Sequence, residues 1–158
     1  MSAQRGVYAP LIRVMQIADL EAISSIERLA YEFPWKQKIF NDCLIAGHYC
    51  IVIESQHLIV GYAVVSIAAG EAHILNLCID ISYQNQGFGG QLLKEILDYS
   101  RIHRVQRMFL EVRPSNQFAI QLYERAGFNQ LGIRPDYYRK RVGREDALVL
   151  AIQLGNQV

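Results

Sequence analysis

The feature that most constrains this chain is Tyr83-Gln84-Asn85-Gln86-Gly87-Phe88-Gly89-Gly90, a glycine-rich turn set between a strand pattern and a helix pattern. Before it, Ala72 to Ile79 is rich in apolar β-formers. After it, Phe88, Leu92, Leu93, Ile96 and Leu97 recur at helical spacing. Arg107 to Val112 is then a further strand, ended by Pro114. Strand, glycine turn, helix and strand make a crossover unit. The turn also has a chemical reading, because unpaired N–H groups and the positive dipole end at a helix start favour an anion, and glycine lets a phosphate approach the backbone. A plain tight turn is the alternative. A P-loop would need Gly-Lys-Ser or Gly-Lys-Thr, which is absent here, and a dinucleotide fingerprint would need glycine where Leu92 stands.

The remaining pattern completes a mixed α/β sheet of about seven strands and about four helices. Leu11 to Gln16 reads as a short strand, and Ala18 to Tyr31 as a helix with Leu20, Ile23, Ile26, Leu29 and Ala30 on one face. Phe33-Pro34-Trp35 interrupts, since proline disfavours helix in the residue before it, and Lys36 to Ala46 resumes a helix ended by Gly47. Tyr49 to Glu54, Leu58 to Ser66 and Ala72 to Ile79 form an antiparallel meander with turns at Ser55-Gln56-His57 and Ala69-Gly70. Ser115 or Asn116 caps a last helix presenting Ala119, Leu122, Tyr123 and Ala126, stopped by Gly127. Strands over Phe128 to Arg139 and Ala147 to Leu154 follow.

At 158 residues, without repeat or linker, the chain is expected to form one domain, with its core over about residues 11–154. A net charge of +1 gives no broad footprint for nucleic acid, so none is expected as a partner. Met1 to Pro10 lacks the apolar stretch of a signal peptide, and Leu58 to Gly70 falls short of the roughly 20 residues of a membrane span. A cytoplasmic protein with no membrane partner is the expectation, as monomer or weak dimer. Cys43, Cys50 and Cys78 are odd in number with no Cys-x-x-Cys pair, and His48, His57, His73 and His103 show no ligand spacing. Buried free thiols and no metal are expected. Cys78, in a strand without an obvious histidine partner, reads as inert core.

Gln84-x-x-Gly87-x-Gly89 resembles the pyrophosphate loop of the GNAT acetyltransferase superfamily, and the order of elements matches. The resemblance continues through Leu110-Glu111-Val112-Arg113, Ser115-Asn116, Ala119, Leu122-Tyr123-Glu124, Gly127-Phe128, Tyr137-Tyr138 and Gly143-Arg144-Glu145-Asp146-Ala147. That series is similar to the RimI-like branch, over roughly residues 11–154. The resemblance implies the GNAT fold, acetyl-CoA as co-substrate, and as acceptor the N-terminal alanine of small-subunit ribosomal protein number eighteen.

It also implies roles. Leu77, Cys78 and Ile79 would offer backbone groups to the pantetheine arm, which lies beside them as an added strand. Asn85, Gln86, Gly87, Phe88, Gly89 and Gly90 would cradle the phosphates, and Asn116 would bond the cofactor arm or serve as a plain helix cap. Many relatives carry basic residues where Asn85 and Gln86 are neutral, so weaker or less salt-sensitive cofactor binding is expected. Glu111, a carboxylate among apolar neighbours, must be paired, at an edge, or functional. The resemblance makes it the general base, while an ion pair with Arg113 or Arg134 is the bland reading. Tyr123 would protonate the departing sulfur, or merely pack.

An α-amine of pKa about 8 is roughly a tenth neutral at pH 7, whereas lysine at about 10.4 is under a thousandth, so an N-terminal acceptor demands less of the base. By the same resemblance, Phe33, Trp35, Tyr137 and Tyr138 would wall the peptide slot. The Gly143-Arg144-Glu145-Asp146 turn is a marker of the branch without a derived role. A lysine or small-amine acceptor, and a CoA-binding module without turnover, are the competing functions.

Overall fold

A computed structural model of the chain describes residues 9–155; residues 1–8, most of the stretch read for a leader, and residues 156–158 lie outside the described residues. The elements are β1 (Leu11–Val14), α1 (Leu20–Ala30), α2 (Gln37–Ile45), β2 (Tyr49–Ser55), β3 (Leu58–Ala68), β4 (Glu71–Ile79), α3 (Phe88–Ile102), β5 (Arg107–Val112), α4 (Gln117–Arg125), β6 (Asn129–Arg139) and β7 (Arg144–Gln153). The seven strands form one sheet in the order β1-β2-β3-β4-β5-β7-β6. Only β4 and β5 run parallel, as the crossover through α3 requires; the other neighbours are antiparallel. This is the expected mixed sheet with its four α-helices among the described residues. None of these helices is long and apolar enough to cross a membrane.

Period-two alternation distributes the apolar residues to two faces. In β2, Ile51 and Ile53 join a cluster with Leu92, Leu93 and Ile96 of α3 and Ile120 of α4, while Cys50 and Val52 join Ile23, Ile26 and Phe40 under α1 and α2. Each fully buried Ile or Leu contributes about 1.5–3 kcal/mol of transfer free energy. Truncating a side chain such as Ile96, at 0% exposure, to alanine therefore costs about 2–5 kcal/mol.

The structure corrects two details near the start. β1 ends at Val14, and α1 begins at Leu20 rather than Ala18, because Ile17–Asp19 forms a 3-10 turn. The Asp19 carboxylate holds that turn, accepting from the Gln16 amide at 2.7 Å and from Arg13 at 2.8 Å. Leu29 is 75% exposed instead of facing the core. It lies nine residues after Leu20, about 180° around the helix at about 100° per residue, and Glu27 fills the inward position. At the other end β7 starts at Arg144 rather than Ala147, extending the β6–β7 hairpin.

The site is positioned by a local failure of the sheet. β4 pairs with β5 only from Glu71↔Arg107 to Ile74↔Leu110. At Leu75 the register with β3 shifts, from Val64↔Asn76 to Val65↔Ile74, which is a β-bulge that bends β4. Beyond it, Asn76–Ile79 keeps β3 on one edge and, among the described residues, has no strand on the other.

Candidate active site

A cavity of about 840 Å³ opens where β4 and β5 part. Glu111 and Tyr123 both line it, with Leu77, Asn116, Phe33, Trp35, Tyr137 and Tyr138. Both residues expected to do chemistry, and all four expected to wall a peptide slot, thus meet around one space.

Glu111 stands on β5, where Met108, Leu110 and Val112 point into the core and Arg107, Phe109 and Glu111 point the other way. Its carboxylate is 6% exposed. One oxygen, Oε1, takes a hydrogen bond with His73 Nε2 at 2.9 Å and one donated by the Tyr137 hydroxyl at 3.4 Å, with Arg134 Nη1 4.0 Å away. Burial pushes the carboxyl up, but the His73 hydrogen bond and charge, Arg134 and the Tyr137 hydroxyl together outweigh it and hold it below the usual carboxylate range. Of the two arginines considered as partners, Arg134 lies at the outer limit of an ion pair, and Arg113 pairs instead with Glu145 at 3.2 Å. His73 is the partner that sequence reasoning missed. It sits opposite Phe109 in the short parallel ladder, and its ring stacks on Phe109 at 4.4 Å.

Tyr123 comes from the inward face of α4 and packs edge-on against Phe128 at 5.5 Å. Burial raises its phenol well above the ordinary value, with Tyr138 and Cys78 adding to the shift, so it stays protonated across the working pH range. Asn116 caps α4, its side chain accepting from the Ala119 amide at 3.2 Å, while also lining the cavity. The capping reading therefore holds geometrically, and a second contact remains open to it.

The far wall rests on a second missed residue. Glu27, 2% exposed, accepts from Tyr62 Oη at 2.6 Å, Asn76 Nδ2 at 3.0 Å and the Trp35 amide at 2.9 Å. A buried carboxylate is tolerated only with such partners. This set ties α1, β3 and β4 to the Phe33-Pro34-Trp35 loop. Trp35 then packs on Phe40 at 5.2 Å. Across the cavity, Arg134 and Arg113 lie over the Tyr137 and Tyr138 rings at 4.5 and 4.4 Å, cation–π contacts that hold the tyrosines in place.

A groove of about 560 Å³ lies on the other side of α4. Ile79, Asn85, Gly87, Phe88, Gly89 and Gly90 line it. Gly87 caps α3 at φ +87°, a left-handed conformation that glycine adopts at little cost. A Cβ on Gly89 would come within 3.2 Å of Leu122, so glycine there lets α3 and α4 approach. The first intrahelical bond runs from Gln91 N to Gly87 O, which leaves the amides of Phe88, Gly89 and Gly90 without a helical partner. Gln86 is exposed and lies on neither wall. The neutral Asn85 and Gln86 are not the whole charge of the groove, for Lys94, Arg101 and Arg125 also line it. Lys94 and Arg101 share Asp98, and Arg125 has no ion pair among the described residues.

Pleating separates the three β4 candidates. Leu77 faces the cavity and Ile79 the groove, whereas Cys78 points to the opposite face with Tyr62 and Phe40. Burial pushes the Cys78 thiol up to about 11, so it is held as an unreactive thiol, and all three cysteines are free and buried. Among the described residues no group of three His, Cys, Asp or Glu is arranged to hold a metal ion.

Comparison with known proteins agrees with this geometry. Residues 17–128 match the model of the Acetyltransferase (GNAT) family. The chain is 35% identical over 143 residues to the ribosomal protein bS18-alanine N-acetyltransferase of Escherichia coli (strain K12), covering 90% of this chain and 97% of that protein. The crystal structure of the ribosomal-protein-S18-alanine N-acetyltransferase from Escherichia coli superposes with a TM-score of 0.88 at 33% identity, over 95% of this chain and 97% of that one. Ard1 from Thermoplasma volcanium superposes with a TM-score of 0.86 at 25% identity, over 94% and 99% of the two chains. A glycine loop at the head of α3, a strand edge freed by the β4 bulge and these likenesses converge on one assignment: the chain belongs to the GNAT acetyltransferase family.

Proposed function

We propose that this protein, acting as one catalytic domain, transfers the acetyl group of acetyl-CoA to the α-amine of a protein N-terminus. The acceptor is the N-terminal alanine of ribosomal protein bS18, as the names of its relatives state for them, which puts the reaction in the cytoplasm. The observation that carries the reading is that Glu111 and Tyr123 share a cavity wall in the gap between β4 and β5.

The groove supplies what a pyrophosphate needs. The free amides of Phe88, Gly89 and Gly90, the dipole of α3 and the cations Lys94 and Arg125 face the anion, and the left-handed turn through Asn85 and Gly87 brings the backbone close. The open edge at Leu77–Ile79 offers backbone groups to the pantetheine arm, with Asn116 beside it, so the thioester reaches the Glu111 cavity.

Transfer is direct. The neutral amine attacks the acetyl carbon, the new C–N bond forms and the C–S bond breaks. Glu111, ionised because His73, Tyr137 and Arg134 outweigh its burial, takes the amine proton. The Tyr123 hydroxyl faces the leaving sulfur and gives it a proton as its charge develops. With its pKa raised, Tyr123 acts chiefly by hydrogen-bond donation until the charge on sulfur is nearly complete. Phe33, Trp35, Tyr137 and Tyr138 hold the first residues of the peptide and keep water out.

The test is acetyl-CoA-dependent thiol release with an alanine-first peptide matching the mature ribosomal N-terminus, beside the same peptide already N-acetylated and carrying a lysine. Release with the free peptide alone is expected. Equal release with the blocked peptide moves the acceptor to lysine, and release with neither contradicts the proposal.

A further inference from the structure

Gly143-Arg144-Glu145-Asp146 closes the β6–β7 hairpin and opens β7. The Gly143 carbonyl accepts from the Lys140 amide at 3.2 Å, and Arg144 pairs with Arg139 in the ladder. The two acids that follow are each bonded to a segment that carries a cavity tyrosine.

Asp146 holds a bulge. Between the pairs Arg134↔Ala147 and Tyr138↔Glu145, three residues of β6, namely Pro135, Asp136 and Tyr137, stand opposite Asp146 alone. Pro135 has no amide to give, and Asp136 lies in the left-handed region at φ +51°. The Asp136 amide is taken instead by the Asp146 carboxylate at 3.0 Å. The consequence is one of direction. Neighbouring residues of a regular strand point to opposite faces, yet Tyr137 and Tyr138 both line the Glu111 cavity, their rings 4.8 Å apart. Tyr137 follows Asp136 directly and sets its hydroxyl 3.4 Å from Glu111 Oε1.

Glu145 holds the other tyrosine at one remove. Its Oε1 accepts from Arg113 Nη1 at 3.2 Å and from Ser115 Oγ at 3.3 Å. The same Arg113 donates to the Arg139 carbonyl at 2.9 Å and lies 4.4 Å over the Tyr138 ring. Fixing this guanidinium fixes the ring beneath it.

We propose that Glu145 and Asp146 are positioning residues for the acceptor: Asp146 aims Tyr137 at Glu111 by holding the β6 bulge, and Glu145 steadies Tyr138 through Arg113. The proposal rests on the reading of Tyr137 and Tyr138 as walls of the peptide slot. Asp146 is exposed and does not line the cavity, so its effect reaches the acceptor through Tyr137.

The experiment measures kcat and KM for the alanine-first peptide, and acetyl-CoA affinity by calorimetry, in D146A, D146N, Y137A and D146A/Y137A. D146A is expected to lower kcat/KM about tenfold or more, as misplacement of a wall beside the reacting groups does, with acetyl-CoA affinity unchanged. D146N keeps an oxygen that can accept from the Asp136 amide and restores kcat/KM to within about twofold of the natural protein. In the Y137A background, where the side chain that Asp146 aims is gone, D146A costs no more than a further factor of about two. A structural loss alone would multiply with Y137A. E145A with Y138A is read in the same way, and decides the role of the turn if D146A does not fold. Natural kcat/KM in D146A, D146N no better than D146A, or fully multiplicative losses in the double variants each overturn the positioning role and leave N-terminal transfer standing. Failure of the natural protein to acetylate the peptide takes down the acceptor reading itself.

Discussion

The groove and the cavity on the two sides of α4 are built from different materials. The groove at the head of α3 offers a ligand three free backbone amides and a left-handed glycine, its loop side chains are neutral, and its side-chain cations come from the helices as Lys94, Arg101 and Arg125. The cavity between β4 and β5 is lined by side chains, among them Glu27 from α1, Glu111 from β5, Tyr123 from α4 and Tyr137 from β6, and His73 from β4 and Arg134 from β6 hold Glu111 from outside its lining. Backbone recognition suits a ligand whose phosphates are always the same. Side-chain recognition suits an acceptor that must be chosen and deprotonated. Damage to the cavity should therefore appear in turnover, and damage to the groove in cofactor affinity.

The largest effect is expected at the base. Glu111→Gln should lower kcat by about 10²-fold or more while acetyl-CoA affinity holds, as for a general acid–base group; steady-state kinetics with a separate cofactor titration checks both. Tyr123→Phe should cost about tenfold in kcat at similar cofactor affinity, because Phe keeps the packing on Phe128 and removes only the donor. An equal loss of cofactor binding in either variant would break the division between the two regions.

Gly87→Ala probes the groove. A Cβ there meets nothing within 4 Å, so the cost is conformational, about 1–3 kcal/mol for a left-handed non-glycine residue. It should lower Tm and weaken acetyl-CoA binding severalfold with kcat at saturation little changed, as calorimetry and kinetics would show.

The smallest effect concerns pH. His73→Phe keeps a ring against Phe109 but removes the hydrogen bond to Glu111, so the carboxyl rises as burial predominates. In the natural protein the folded-state pKa of Glu111 lies below the unfolded value of about 4.3. The stability it contributes is therefore present above that value and lost as pH falls through the folded pKa. The variant should be less stable than the natural protein near neutrality, and the difference should narrow below about pH 4, as Tm measured from pH 3 to 7 would reveal.

The same division explains how much could be read in advance. Gln84-x-x-Gly87-x-Gly89 and the apolar periods around it announce the groove, because a backbone site is written locally in glycine spacing. Glu111 was visible because a carboxylate breaks the apolar pattern of β5. His73 was not, since its meeting with Glu111 depends on the parallel register of β4 and β5, which pairs residues far apart in sequence. Glu27 was hidden within an amphipathic helix pattern that also fits Leu29 on the core side; three hydrogen bonds from other elements decide which of them turns inward. The Leu75 bulge, which opens the cavity, has no glycine or proline to mark it.

The most direct test of the account is to incubate the protein with acetyl-CoA and one peptide bearing both a free N-terminal alanine and an internal lysine, then locate the acetyl group by fragment mass spectrometry. The account predicts a single acetyl on the α-amine, formed about 10²-fold or more slowly in Glu111→Gln. Acetyl on the lysine side chain, or undiminished α-acetylation in that variant, would contradict it.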